Sequence, residues 1–258
     1  MDRAARRPSA LRAADSVLGN GNRPAGGPRG PLARRTRTAD LGAQGRLMIH
    51  PEVLPQEQMS CLRDLAPAAT DLGFYLGGGT AVALHCGHRR SIDFDWSASR
   101  FPGKPVDLQE SLAGRGITIE PAALAEGTVH GRIAGVKVGF LEFRPALLEP
   151  LVEWPTIGCR LASCPDLAAM KLLAVAQRGT KKDFIDVHEL ARQMPLADML
   201  ACYQRRFGVT DTGRLLASLC FFDDAEDEPM PVMLRPLGWE TVKQDLQEMV
   251  RHVVGAEE

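Results

Sequence analysis

The spacing of apolar and polar positions from residue 48 onward predicts short helices and strands that alternate along the first half of the chain. Apolar residues recur at helical intervals over 55–70, which predicts a helix, and the apolar run at 74–76 predicts a short strand. The apolar segment 80–86 follows a glycine triplet and predicts a buried helix. Alternation at 92–96 predicts a second strand, with apolar side chains on one face and acidic side chains on the other.

The same reasoning extends this part of the chain into a mixed sheet. Further elements are predicted in this order: a helix at 108–113 and strands at 117–119, 128–133 and 136–143. Ala134 and Gly135 form the turn between the last two strands, so we expect a hairpin that extends the sheet of strand 92–96. We therefore predict an α/β (α+β) fold with a mixed sheet core over about residues 70–145.

The second half of the chain is predicted to be helical. Ser163 and Thr180 each stand three residues before an aspartate, a pattern typical of helix starts, and Gly179 separates the two helices. Later helices are predicted at about residues 196–206, 212–222 and 239–254. We expect this helical region, residues 151–258, to complete a site that is built on the core, residues 47–150.

Composition narrows the possible classes of protein. No apolar run approaches the roughly 20 residues needed to span a bilayer, and the amino terminus lacks an apolar signal segment. We therefore expect a cytoplasmic protein with no membrane contact. The six cysteines form no CxxC pair and are scattered like small buried side chains, which predicts no disulfides.

Charge is distributed unevenly along the chain. Residues 1–46 carry ten arginines against three aspartates, so a leader of charge +7 precedes a remainder of −8 in a chain of net charge −1. This leader is rich in Arg, Gly and Pro and is predicted to be disordered. Its composition favours a passive tail, or a start assigned upstream of Met48, over an RNA-binding arm.

The glycine triplet and the acidic strand together indicate a site for phosphate and metal. The glycines let the backbone approach a ligand closely, and the N–H groups at the start of the next helix would face its phosphates. Alternation places Asp93 and Asp95 on one face of the strand. The opposite face carries Ile92, Phe94 and Trp96. Two carboxylates suit Mg²⁺ or Mn²⁺, which also take oxygen ligands from substrate phosphates.

A cationic cluster is predicted in the helical half. Lys171 and Arg178 are seven residues apart, hence on one helix face, and Lys182 follows at the start of the next helix. Such a cluster could hold a triphosphate or neutralise a pyrophosphate leaving group. The alternative is that these are solvated charges, with Lys182 and Asp186 forming an ordinary pair at i,i+4.

Together the two segments resemble a known family, the AbiEii/AbiGii-type nucleotidyl transferase toxins. Members carry a glycine-rich turn, GHRxSxDxD, and a downstream K-L-x-A and R-G-x-K-K-D-x-x-D. The matching positions are Gly87, His88, Arg89, Ser91, Asp93, Asp95, Lys171, Arg178, Lys182, Asp183 and Asp186. The resemblance covers about residues 70–192 and is expected to continue to the C-terminus, but it does not include the first 46 residues. It implies a DNA polymerase β-like nucleotidyltransferase fold with a helical C-terminal part, and a toxin with a cognate DNA-binding antitoxin or a role in phage defence.

The resemblance also implies roles for individual residues. Asp93 and Asp95 would bind the metal and act in catalysis, and Lys182, Asp183 and Asp186 would activate or position the acceptor. The implied contacts to the nucleoside triphosphate are Gly78, Gly79, Thr80, Arg89, Ser91, Lys171 and Arg178. The implied reaction is metal-assisted transfer of a nucleotidyl group from NTP to a hydroxyl of an RNA, such as a tRNA end, or of a protein.

One position departs from the pattern of such enzymes. A third carboxylate is expected on the neighbouring strand at Gly139, and the nearest acid, Glu142, falls on the opposite face by alternation. Two classes of function therefore stay open. The first is an active enzyme that uses one metal or another base such as Asp183, and the second is a degenerate member that binds nucleotide, nucleic acid or a partner without turnover.

Other sites have weaker sequence support. His85, Cys86 and His88 lack a second ligand pair at a spacing suited to zinc. The glycine triplet lacks the Lys-Ser/Thr of a P-loop and the GxGxxG of a dinucleotide site. His130 and His188 are interpreted as ordinary surface or interface histidines.

Overall fold

The computed structural model describes residues 49–256. The Arg-rich leader, residues 1–46, lies outside the described residues, so its disorder stays a prediction. The described helices are α1 (Gln56–Asp71), α2 (Gly78–Cys86), α3 (Pro105–Ala113), α4 (Cys164–Gln177), α5 (Lys181–Ala191), α6 (Leu196–Phe207), α7 (Gly213–Leu219), α8 (Asp223–Glu226) and α9 (Trp239–Gly255). The described strands are β1 (Tyr75–Leu76), β2 (Phe94–Ala98), β3 (Glu120–Ala125), β4 (Thr128–Ile133), β5 (Val136–Glu142), β6 (Val152–Trp154) and β7 (Cys159–Leu161).

The strands of the described part form one mixed sheet in the order β3-β4-β5-β2-β1-β7-β6. The acidic strand β2 lies in the middle, antiparallel to β1 and parallel to β5. Strands β4 and β5 form the predicted hairpin, whose turn residues Ala134 and Gly135 have positive φ angles of 49° and 79°, as a two-residue hairpin turn requires. The prediction that this hairpin extends the sheet of the acidic strand is confirmed.

Aromatic side chains pack the core on one face of the sheet. Phe74, Trp96 and Phe140 are fully buried. The Phe140 ring lies edge-on to Phe74, with centroids 5.1 Å apart, and is stacked with Trp96 at 6.4 Å. Because side chains alternate along β2, burial of Phe94 and Trp96 directs Asp95 to the other face.

The structure differs from the predicted strands in three respects. Strand β2 begins at Phe94, so Ile92 precedes it and is 56% exposed instead of sharing the buried face. The strand predicted at 117–119 forms directly after those residues as β3, at the edge of the sheet. All side chains of β3 are exposed, so no alternation of apolar and polar residues marks this strand in the sequence. Strands β6 and β7 have three residues each, too few to produce a periodic pattern.

Replacement of the core ring Phe140 by alanine should lower the free energy of unfolding by about 3–5 kcal/mol, as expected for a fully buried phenylalanine. Urea denaturation measures this change. Phe221→Ala is the matched control, because Phe221 is 54% exposed and should lose less than about 1 kcal/mol. Equal losses in the two variants would contradict this account of the core.

Candidate active site

The turn between β1 and α2 places the glycine triplet against the carboxylate of Asp95. Helix α2 begins at Gly78, two residues before the predicted start, so two of the glycines form its first turn. The Gly77 N–H donates to the Asp95 carbonyl at 2.8 Å. Gly78 has a φ of 60°, and a Cβ atom there would lie 2.2 Å from a carboxylate oxygen of Asp95. Only glycine therefore fits between the helix start and this acid.

Asp93 is held beside the same helix through its backbone. It lies immediately before β2 and is half-buried. The Thr80 hydroxyl donates to the Asp93 carbonyl, and the Thr80 and Ser91 hydroxyl oxygens are 2.7 Å apart. The Asp93 Oδ1 atom is buried and has no hydrogen-bond partner among the described residues. An uncompensated buried carboxylate oxygen is costly, so this atom is suited to a cation.

These two acids fit a metal that is held partly by its substrate. Within residues 49–256, no group of three or more His, Cys, Asp and Glu side chains is arranged to hold a metal ion. Mg²⁺ does not require one, because it commonly uses one or two protein carboxylates together with waters and substrate phosphates. Asp93, with its unpaired carboxylate oxygen, and Asp95, with its carboxylate against the glycine turn, can supply these two protein ligands.

A buried ion-pair network lies behind the glycine turn, and Asp186 of α5 is at its centre. The Arg89 guanidinium donates twice to the Asp186 carboxylate, at 2.7 and 2.8 Å, and the His88 ring nitrogen lies 2.9 Å from it. Lys171 Nζ of α4 lies 2.7 Å from the second carboxylate oxygen. Arg89 also donates to the Gly79 carbonyl at 3.4 Å. The network therefore ties α4 and α5 to the first turn of α2.

Asp183 forms the second half of the network. Its carboxylate accepts from Lys171 Nζ at 2.9 Å, from the Arg178 guanidinium at 2.7 and 3.0 Å, and from the Thr180 hydroxyl at 2.6 Å. Thr180 is the N-cap of α5, but its hydroxyl donates to this carboxylate instead of accepting a backbone N–H as the capping box predicted. Asp183 therefore has its acceptor positions occupied by cations and a hydroxyl.

Electrostatics keep both aspartates ionised. Burial favours the neutral form of Asp183, yet the Lys171 ammonium and the Arg178 guanidinium outweigh it and hold the pKa of the carboxyl well below its usual range. Burial opposes ionisation of Asp186 as well, and Arg89 and Lys171 lower the pKa of that carboxyl strongly. Carboxylates stabilised in this way are poor proton acceptors.

Most of the predicted site residues lie close together in the structure. Some of them belong to the pocket, and others are buried in the ion-pair network behind it. Arg89, Ser91 and Lys171 are buried, Lys182 is exposed on the first turn of α5, and Asp186 pairs with Arg89 and Lys171 instead of Lys182.

Arg178 differs from these buried cations because it is both fixed and open to solvent. Its side chain is 51% exposed while it is paired with Asp183. Hydrogen bonding to Asp183 raises the pKa of Arg178, and the charge of Asp95 acts in the same direction. Its guanidinium is therefore held in place by Asp183 and still partly open to an anionic ligand.

The groups considered for other roles are engaged elsewhere. The His85 ring nitrogen lies 2.9 Å from the Ala162 carbonyl oxygen, and the Cys86 sulfur accepts from the Gln193 amide at 3.2 Å. The Glu142 carboxylate accepts from the backbone N–H of Phe101 at 2.9 Å. Strand β5 pairs with β2 and β4 in unbroken register, so no bulge turns Glu142 toward the face of Asp95.

His130 was missed by the sequence interpretation. It lies on β4 directly opposite Gly139 of β5, which in turn pairs with Asp95 of β2. The signal was present in the hairpin, because counting outward from the turn at Ala134 and Gly135 pairs His130 with Gly139. Its ring faces the place where the third carboxylate was expected.

Comparison with known proteins gives the family. The model of the nucleotidyl transferase AbiEii toxin, of type IV toxin–antitoxin systems, matches residues 133–258. The uncharacterized protein aq_aa25 of Aquifex aeolicus is 33% identical over 182 residues, which cover 68% of this chain and 86% of that protein. The chain belongs to the AbiEii nucleotidyl transferase toxin family.

Solved structures agree with the fold of this AbiEii-family chain. A protein from H. pylori, described as a candidate nucleotidyltransferase, superposes with a TM-score of 0.50 at 18% identity, covering 77% of this chain and 94% of its own. MenT4, a nucleotidyltransferase toxin of Mycobacterium tuberculosis, gives a TM-score of 0.50 at 16% identity, covering 76% and 86% respectively. The mixed sheet with a helical second half is thus a nucleotidyltransferase fold, as predicted. None of the helices described for this chain is long and apolar enough to cross a membrane.

Replacement of Asp186 by asparagine should lower the free energy of unfolding by about 3–5 kcal/mol, because it leaves buried cations without their counter-charge. Asp71→Asn is the matched control. Asp71 pairs with Arg115 at 2.8 Å on the surface and should lose at most about 1 kcal/mol. Denaturation of the two variants at pH 7 measures the difference, and similar losses would contradict a central role for Asp186.

The difference between the wild-type chain and Asp186→Asn should also depend on pH. The folded-state pKa of Asp186 lies below the unfolded value of about 4. The stabilisation is therefore fully present above pH 4 and is lost as the pH falls through the folded pKa. Denaturation curves between pH 7 and pH 2 measure it. A difference that stays constant over that range would argue against an ionised, paired Asp186.

Proposed function

We propose that this chain is a metal-dependent nucleotidyltransferase that transfers a nucleotidyl group from NTP to a hydroxyl of an RNA or protein acceptor. The observation that carries the proposal is the placement of the Asp95 carboxylate against the glycine start of α2, two residues after Asp93, which has a buried carboxylate oxygen without a partner among the described residues. Carboxylates at a helix N-terminus would normally be held by its N–H groups alone. Here the Asp95 carboxylate lies at the glycine start of the helix and Asp93 precedes it by two residues, which favours a cation with a phosphate ligand.

We assign the pocket residues as follows. Asp93 and Asp95 would hold Mg²⁺ or Mn²⁺, which when bound supplies positive charge to the reacting phosphate. Gly78 and Gly79 form the amino end of α2, where backbone N–H groups favour anions, and we place the triphosphate there. Arg178 would bind the triphosphate with the part of its guanidinium that remains exposed beside its pair with Asp183.

The remaining predicted residues support the pocket in this proposal. Thr80 and Ser91 position the backbone of Asp93, and Arg89 positions the carbonyl of Gly79. Lys171 joins the two buried aspartates.

Residues from both halves of the chain take part in this assignment. We therefore keep the proposal that residues 151–258 complete a site on the core, residues 47–150, although β6 and β7 of the second region belong to the sheet of the core.

The biological role follows from the family. We propose that the chain acts as a toxin in the cytoplasm with a cognate antitoxin as its partner, in a toxin–antitoxin or phage-defence system. A second candidate function, nucleotide or partner binding without turnover, is favoured by one observation, the glycine at position 139 where a third carboxylate was expected.

The proposed activity can be tested by incubating the full chain with each α-labelled NTP, Mg²⁺ or Mn²⁺, and total tRNA or cell lysate. Label should pass to RNA or protein. Asp93→Ala and Asp95→Ala should each reduce transfer by about 10³-fold or more, because metal-ion catalysis is worth several kcal/mol.

The exposed acid Asp71 provides the matched control, since Asp71→Ala should leave transfer unchanged. Gel separation of labelled RNA from labelled protein identifies the acceptor class. Metal-dependent NTP binding without transfer from any of the four nucleotides would reject the enzyme and favour the binding function.

Arg178→Ala should raise the KM for NTP by about 10-fold to 100-fold, because a hydrogen bond to a charged group is worth about 1.5–3 kcal/mol. Steady-state transfer at varied NTP concentration measures this effect. Arg115→Ala, which removes an exposed arginine with a surface partner, is the control. An unchanged KM in the Arg178 variant would place the triphosphate elsewhere.

A further inference from the structure

Three neighbouring strands place Asp95, Gly139 and His130 in one row across the sheet. The register pairs Asp95 of β2 with Gly139 of β5, and Gly139 with His130 of β4. Side chains at paired positions point to the same face of a sheet. His130 therefore lies on the face that carries the acidic pocket, one strand beyond the position of the missing third carboxylate.

Gly139 opens a gap between the histidine and the acid. A Cβ atom built on Gly139 would lie 3.0 Å from His130 Nδ1, 3.1 Å from His130 Cε1 and 3.6 Å from Asp95 Oδ1. The imidazole and the carboxylate thus border the same small space from opposite sides. Any larger residue at position 139 would fill it, so the glycine keeps the Nδ1 edge of the ring accessible from the pocket.

The other acids considered as general bases already form ion pairs or hydrogen bonds with other residues. Asp183 and Asp186 are fully buried and paired with cations, and Glu142 accepts from the Phe101 backbone on the opposite face. His130 is half-buried, and its ring forms no hydrogen bond or ion pair with the residues described here. A neutral imidazole presents one nitrogen as an acceptor. The ring is therefore available to a ligand in the pocket.

We propose that His130 receives the proton of the attacking hydroxyl, in the place that a third carboxylate takes in related enzymes. The inference rests on the proposed nucleotidyl transfer. The acceptor oxygen forms a bond to the α-phosphorus, and the bond from that phosphorus to the bridging oxygen of the β-phosphate breaks. Pyrophosphate leaves with that electron pair, and the hydroxyl proton passes to the imidazole nitrogen and then to solvent.

The experiment compares His130→Ala and His130→Gln with the wild-type full chain in single-turnover transfer from labelled NTP. Both variants should transfer about 10²-fold to 10⁴-fold more slowly, the range expected for loss of a general base. Glutamine tests whether a hydrogen bond alone is enough, because it can accept one but cannot take the proton. Free imidazole added to the alanine variant should restore part of the rate.

Two further measurements separate this role from a structural one. The Kd for NTP in the presence of Mg²⁺, measured by calorimetry without acceptor, should change less than about twofold in both variants, since His130 acts on the hydroxyl. His252→Ala, which removes an exposed histidine of α9, is the matched control and should transfer at the wild-type rate.

The outcomes are distinct. A wild-type rate in His130→Gln, or loss of transfer that imidazole does not restore while NTP binding is intact, overturns the inference. Recovery of His130→Ala at high Mg²⁺ concentration also overturns it, because the ring would then act as a metal ligand. If the wild-type chain itself transfers no label, the proposed function fails, whereas a wild-type rate in His130→Ala removes only the role of His130.

Discussion

The buried pairing of Asp183 and Asp186 with cations is the constraint on which the geometry of the site depends. Removing a carboxylate from water costs several kcal/mol unless charged partners with good geometry surround it. Asp186 obtains those partners from two distant segments, with Arg89 preceding α5 by almost a hundred residues and Lys171 lying in α4. Only a few relative positions of α4 and α5 allow the Asp186 carboxylate to reach all of these charged partners. The same contacts hold the Gly79 carbonyl and hence the first turn of α2.

Charge balance within this network leaves one cation at its edge, open to solvent. Lys171, Arg89 and Arg178 bring three positive charges against the two negative charges of Asp183 and Asp186. The excess is therefore +1, apart from the contribution of His88. It lies at the edge of the network, because Arg178 is half-exposed whereas the other two cations are buried. A fixed guanidinium with exposed N–H groups is suited to binding a phosphate group.

Much of the fold and part of the site follow from the sequence. Apolar periodicity is strong enough in α1 and the hairpin to fix their type, and alternation places Asp95, whereas Asp93 lies before the strand. The pairing of Asp186 with Arg89 is not accessible in the same way, because it depends on how α5 packs against a loop far along the chain. The sequence interpretation placed Lys171 among the contacts to the triphosphate, whereas its side chain joins two buried carboxylates.

The lack of a carboxylate at position 139 has an electrostatic consequence for the pocket. A third acid at position 139 would stand within about one side-chain length of Asp95, and like charges so close oppose each other's ionisation unless cations lie between them. In two-metal enzymes, a third carboxylate helps to bind the additional metal ion. A pocket with two acids matches one cation, so in the proposed reaction a protein group that needs no further metal would activate the acceptor hydroxyl. Within the described part of the chain, His130 meets that condition, since its imidazole can take a proton without adding negative charge beside Asp95.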